Sequence, residues 1–182
     1  MRSRVQGWWL ALALAAGLAA DPAPKDNEIK AVFLLNFLRY TEWPATTFAT
    51  TNAPIVIGLL GDDPFGAALE QAVAGETAQS RPVILRRGRR LDEVAGCHLL
   101  FIGKSENARV AGHLRALGTQ PVLTVGETEA FARAGGMITF VAQGNRVAFD
   151  IDDAAARRAG LELSAKLLKV ARQVRPAPPG GP

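Results

Sequence analysis

Between Pro54 and Asp152 the chain switches repeatedly between short β-rich runs and helical stretches, and this alternation constrains the fold more than any single motif. PIVIGLL (Pro54 to Leu60), RPVILRR (Arg81 to Arg87), CHLLFIG (Cys97 to Gly103) and PVLTVG (Pro121 to Gly126) are bounded by Gly, Pro or Asp, as strands are. Candidate helices lie between them, at Pro64 to Ala74, Leu91 to Ala95 and Ser105 to Leu117. Short strand-to-helix steps favour a parallel sheet covered by helices. MITFVAQGNRVAFDID, Met137 to Asp152, then reads as two strands about a Gln143-Gly144-Asn145 turn, an antiparallel hairpin that closes the sheet. The expected architecture is a three-layer α/β/α sandwich, mostly parallel, with a C-terminal antiparallel hairpin. Right-handed crossovers favour a flavodoxin-like strand order, with the second strand at the edge opposite the hairpin.

Two helices flank this core. Asp26 to Tyr40 places Ile29, Val32, Phe33, Phe37 and Tyr40 on one face, which Leu34, Leu35 and Leu38 widen nearly all round. So apolar a helix has to be covered, by its own domain or by another subunit. Glu42-Trp43-Pro44 ends it. Asp152-Asp153 suits the start of a last helix, with a stripe of Leu163, Leu167, Val170 and Val174, a Glu162–Lys166 pair, and Arg172 and Arg175 at its C-terminal end. One domain is expected over residues 26–175, followed by a disordered Pro/Gly tail, PAPPGGP, at residues 176–182.

Residues 1–19 carry the pattern of a cleaved secretory signal peptide: Arg2 and Arg4, an apolar core from Trp8 to Ala16, then small residues. The core falls short of the roughly 20 apolar residues needed to span a bilayer, so no stable membrane insertion is expected after cleavage. Without Arg2 and Arg4, 19 basic residues stand against 17 acidic ones, an excess of +2 rather than +4. Basicity in this chain is largely a targeting device. Export and the lack of interleaved aromatic and basic residues argue against nucleic acid as a partner. The expected location is the periplasm. In that oxidising compartment Cys97 has no partner within the chain, so no internal disulfide is expected, and a small buried strand residue is the simplest reading.

The motifs that resemble catalytic signatures fail on inspection. Asp62-Asp63 follows the first strand as in a phosphoryl-accepting receiver, but the third strand ends in Ile102-Gly103-Lys104-Ser105 with no acceptor carboxylate, so the pair reads as the cap of the following helix. Gly103-Lys104-Ser105 lacks the glycine a P-loop needs five residues earlier, where His98 stands. His98 and His113 have no acids at ligand spacing, and no nucleophile elbow or paired-acid pattern stands out. Accordingly no catalytic residue, metal ligand or cofactor is assigned. Arg86, Arg87, Arg89 and Arg90 read as the solvated charges of an edge strand or, alternatively, as an anion site.

IKAVFLLNFLRYTEWP (Ile29 to Pro44), LLGDDPFGAAL (Leu59 to Leu69) and GGMITFVAQGNRVAFDIDDAAARRAGLELSAKLLKVAR (Gly135 to Arg172), with CHLLFIG between them, resemble the YfiR/HmsC-like family of exported proteins. The resemblance implies a non-catalytic periplasmic regulator, often dimeric, that represses an inner-membrane partner through that partner's periplasmic domain. In YfiR-type systems the partner is a diguanylate cyclase, with cyclic-di-GMP, biofilm formation and motility as outputs; other members serve sensor kinases or other membrane proteins. Family members commonly bridge the cysteine of CHLLFIG to one in the first strand, where this chain has Gly58.

Contact candidates are Asn36, set within the apolar first helix, the aromatic-basic corner of Arg39, Tyr40 and Trp43, and Arg146 on the hairpin, on the same face as Ala148 and Asp150. The alternative to partner repression is a periplasmic small-ligand sensor or binding protein serving a sensor kinase or other membrane protein. A pocket on which Asn36 and Arg146 converge would favour the sensor; an exposed apolar helix face would favour the regulator.

Overall fold

The computed structural model describes residues 24–176. The signal segment expected at residues 1–19 lies outside the described residues, as does the expected tail except for Pro176. The strands are β1 (Thr41–Glu42), β2 (Ile55–Leu60), β3 (Thr77–Ala78), β4 (Arg81–Gly88), β5 (Leu99–Ile102), β6 (Leu123–Gly126), β7 (Ile138–Gln143), β8 (Arg146–Asp152), β9 (Glu162–Leu163) and β10 (Gln173–Arg175). The helices are α1 (Pro24–Arg39), α2 (Ala67–Val73), α3 (Val110–Leu117), α4 (Glu129–Arg133), α5 (Asp153–Arg158) and α6 (Ala165–Val170).

The main sheet has eight strands in the order β10-β8-β7-β6-β5-β2-β4-β3. Its parallel part, β4-β2-β5-β6-β7, has the flavodoxin-like order 2-1-3-4-5 expected from the sequence. β8 runs antiparallel to β7, with Gln143 opposite Arg146 across a two-residue turn. Gly144 takes the first central position at φ +59°, a conformation that the missing Cβ makes easy. Both edges carry more than expected. The two-residue β3 covers the arginine-bearing β4, and β10 adds in parallel beyond the hairpin.

Strand alternation sends side chains into two cores. Ile55, Ile57 and Leu59 of β2, with Leu99 and Phe101 of β5, face a layer made by α1, α2, α5 and α6. Val56, Leu60, Leu100 and Ile102 face the other layer, where Val94, Val110 and Phe131 pack. Because both faces are covered, these strands read as continuous apolar runs rather than alternating ones.

Cys97 is buried in the second core and has no disulfide partner. Burial pushes its thiol up to about 11, which keeps it protonated and unreactive at neutral pH. Gly58 lies against it: a Cβ on Gly58 would stand 3.1 Å from both Cβ and Sγ of Cys97. A disulfide wants about 3.5–4.5 Å between Cβ atoms, so the two positions need only a small adjustment to bridge. Gly58→Cys should therefore oxidise to a form with no titratable thiol after denaturation, about 2 kcal/mol more stable than its own reduced form. Persistence of two free thiols under oxidising conditions would show that the geometry does not permit the bridge.

Three expected elements differ. On α1 the core takes Ala31, Leu34, Leu35, Phe37 and Leu38, while Ile29, Val32 and Tyr40 point outward and Phe33 is half-buried. A helix apolar nearly all round has two candidate faces, and the sheet selects the wider one. The last helix is broken in two: Gly160 at φ +72° ends α5, β9 pairs antiparallel with β1, and Ser164 caps α6 through its hydroxyl, which accepts from the Leu167 N–H. Glu162 thus sits on a strand, without the expected Lys166 pair among the described ion pairs, and Val170 is exposed. Asp63 acts just ahead of its helix: its Oδ1 accepts from the N–H groups of Phe65 and Gly66, and α2 begins at Ala67.

Candidate functional site

Open α/β sheets collect ligands outside the carboxyl ends of their strands, where the connecting loops diverge. Here the ends of β5, β6 and β7 and the start of β8 face the first turns of α1 around a cavity of about 530 Å³. Lys30 enters from α1 and Glu127 follows β6. Their side chains, 10% and 5% exposed, meet with Nζ 2.6 Å from Oε2. The ammonium also lies 5.9 Å from the centre of the Phe140 ring. Lys104, just past β5, approaches the other Glu127 oxygen at 3.8 Å and is otherwise half in solvent. Arg146 lines the same cavity from β8, is exposed, and makes no ion pair among the described residues.

Asn36 is not part of that cavity. It is half-buried on the outward arc of α1, and none of the hydrogen bonds among the described residues involves its side chain. Asn36 and Arg146 therefore do not converge. Around Asn36 the helix shows Ile29, 37% exposed, Val32, 52% exposed, and Tyr40, 39% exposed, an apolar stripe at helical spacing.

The aromatic-basic corner divides three ways. Arg39 is tied to Glu76 and to the carbonyl of Thr77, Tyr40 stays on the surface, and Trp43 turns inward. Trp43 meets His98 edge-on with centroids 6.2 Å apart, and Phe48 stacks on His98 at 4.7 Å. Arg81 lies over Phe48 at 3.7 Å. His98 Nδ1 accepts from the Val56 N–H at 3.1 Å, so it is a buried residue with a backbone partner, one position ahead of β5.

Burial, with the Arg81 charge as a smaller cause, lowers the His98 pKa below its ordinary 6.5. The unfolded chain then binds a proton near pH 6.5 that the folded chain refuses, so stability falls as pH drops through that value. Urea unfolding of wild type and His98→Phe between pH 7 and 5 should give the variant the shallower slope, although it loses an acceptor for Val56. Parallel slopes would contradict this role. Glu106, held down first by its hydrogen bond from Arg109 and also by His113, adds a second loss below its ordinary 4.5.

The arginines at the end of β4 and just beyond it are paired rather than gathered into an anion site. Arg87 reaches Asp63 and Glu70, Arg89 approaches Asp62 at 3.7 Å, Arg90 meets Asp92, and Arg86 donates to the carbonyl of Ala95. Asp63 is thus bound up in structure, while Asp62 stays exposed. No group of three or more His, Cys, Asp or Glu side chains that could hold a metal occurs among the described residues. No helix among them is long and apolar enough to cross a membrane.

A model of the YfiR/HmsC-like family matches residues 27–172, nearly all of the folded domain. The chain belongs to the YfiR/HmsC-like family. Its relatives are, as a class, periplasmic regulatory proteins. No curated protein matches the chain. Among solved structures, a conserved domain protein from Vibrio cholerae is similar with TM-score 0.53 at 10% identity, over 82% of this chain and 60% of that one. An ABC domain in complex with L-Trp from Streptococcus pneumonia gives TM-score 0.48 at 13% identity, over 82% of this chain and 62% of that one. This YfiR/HmsC-like chain therefore spans under two thirds of either neighbour, and the first likeness speaks for the fold alone.

Sequence reasoning missed Lys30, Lys104 and Glu127 as site residues. The signals were present: a lone cation inside an apolar helix, a lysine just past β5 and an acid just past β6. Their meaning depended on which helix face meets the sheet.

Proposed function

We propose that this protein is a non-catalytic periplasmic regulator that represses an inner-membrane signalling protein, first of all a diguanylate cyclase, by binding its periplasmic domain. Family membership supports the class of function. The observation that carries the mode of action is the outward stripe of Ile29 and Val32 on α1, continued by Tyr40 just past its end, which leaves large apolar side chains in water on an otherwise well-packed helix. Association of such a stripe with a membrane protein's soluble domain removes it from water at little conformational cost, because the helix is already held by the sheet. A homodimer, which the family resemblance implies, belongs to the same proposal, on a face other than this stripe.

A photo-reactive residue at Val32, introduced in cells that make the protein, tests the mode directly. It should yield an adduct with an inner-membrane signalling protein, whereas the same probe at Arg115, exposed on α3 in the opposite layer, should not. Adducts between two copies alone would assign the stripe to self-association and contradict the proposal. The cavity at Arg146 supports a second element, small-ligand sensing, which could act on the same repression.

A further inference from the structure

We propose that the cavity between α1 and the β7–β8 hairpin binds a small organic carboxylate, its anionic group held by Lys104 and Arg146 and its apolar body resting on Phe140 and Val147. The cavity's charges divide unequally. Lys30 and Glu127 saturate each other at 2.6 Å and are almost fully buried, so they form a fixed, neutral floor. Lys104 is only partly engaged, 3.8 Å from a carboxylate already bonded to Lys30, and Arg146 has no ion pair among the described residues. Two cationic side chains with unused donors therefore line one cavity, where the carboxylates are Glu127, already bonded to Lys30, and Asp26.

The guanidinium supplies a planar fork that fits a carboxylate with two parallel hydrogen bonds, and an ammonium adds a point charge. Between them lies an apolar strip of Phe140, Val141, Ala142 and Val147, in which Phe140 shows only its edge and Val147 is partly buried against the first core. A volume of about 530 Å³ lies within the ordinary range for small-molecule sites, and the position at the carboxyl ends of parallel strands is where such folds bind ligands. Asp26, in the first turn of α1, sets a limit: it disfavours ligands carrying several negative charges near that end, so the class is monoanionic.

The site stands apart from the α1 stripe. Binding is read on the purified protein with no membrane partner, so its failure would leave repression untouched, and failure of repression would leave it untouched. The probes are benzoate and its uncharged analogue benzamide, titrated into isotopically labelled protein and followed by amide NMR. Benzoate should give saturable shifts at Lys104, Gly144 and Arg146, and benzamide should not. Arg146→Ala and Lys104→Ala, both at exposed side chains, should keep the folded spectrum and weaken benzoate by at least about tenfold each, the scale of one charge-assisted contact. Arg146→Lys should fall between. Equal responses to benzoate and benzamide, or benzoate affinity unchanged in both alanine variants, would overturn the proposal, as would the absence of saturable shifts at these residues in the wild-type protein.

Discussion

Lys30→Met should lower the unfolding free energy by about 3 kcal/mol, because it leaves Glu127 a buried carboxylate whose one remaining counter-charge among the described ion pairs, Lys104, lies 3.8 Å away and half in solvent. The same order of loss is expected for Glu127→Leu, which strands Lys30. The double variant should recover most of the loss, since replacing both charges by apolar groups removes the desolvation penalty together with the attraction. Urea unfolding of the four proteins closes the cycle. A single variant within about 0.5 kcal/mol of wild type would show that the pair contributes no more than a surface ion pair. The coupling ties the first turns of α1 to the end of β6, and so fixes the floor of the cavity and the position of the outer stripe together.

Val32→Glu should leave the fold intact and remove partner binding. Val32 is half exposed and glutamate suits a helix, so unfolding should shift by no more than about 0.5 kcal/mol. A carboxylate at the centre of an apolar contact must be desolvated without a counter-charge, and central interface residues commonly contribute 2 kcal/mol or more, about 30-fold in affinity. The variant should therefore fold normally while its cross-linking to the membrane partner, read from a probe at Tyr40, drops to background. Undiminished cross-linking would place the contact elsewhere.

The layered architecture and the strand order were legible in the sequence because fully buried parallel strands are continuous apolar runs, and connection length decides their pairing. CHLLFIG and MITFVAQGNRVAFDID became the strands they announced. The outer face of α1 was not legible: with apolar side chains at Leu34, Leu35, Phe37 and Leu38 as well as at Ile29 and Val32, periodicity offers two faces, and only packing against β8 and α2 chooses. The break in the last helix turned on Gly160, a residue that ends a helix only when the chain beyond it has somewhere to pair, here β1. For the candidate site, strand alternation singled out Arg146, which lines the cavity. Lys30 and Glu127 were not, since a lysine in a helix and an acid after a strand acquire meaning only when tertiary packing closes a gap of 97 residues between them.

Asp62 and Asp63 show the converse. Their sequence context raised a phosphotransfer question, and the structure gives the two acids different surroundings: Asp63 is paired with Arg87 of β4 and holds the turn before α2, while Asp62 is exposed and only approached by Arg89, just past β4. What such a pair contributes is local order.

The most direct measurement is cyclic-di-GMP in cells lacking the protein, complemented with wild type or with Val32→Glu at equal abundance. Repression of a diguanylate cyclase through α1 predicts a rise on deletion, a return to the starting level with wild type, and no return with Val32→Glu. A level that stays constant on deletion in every growth condition, or one that Val32→Glu restores fully, would contradict it.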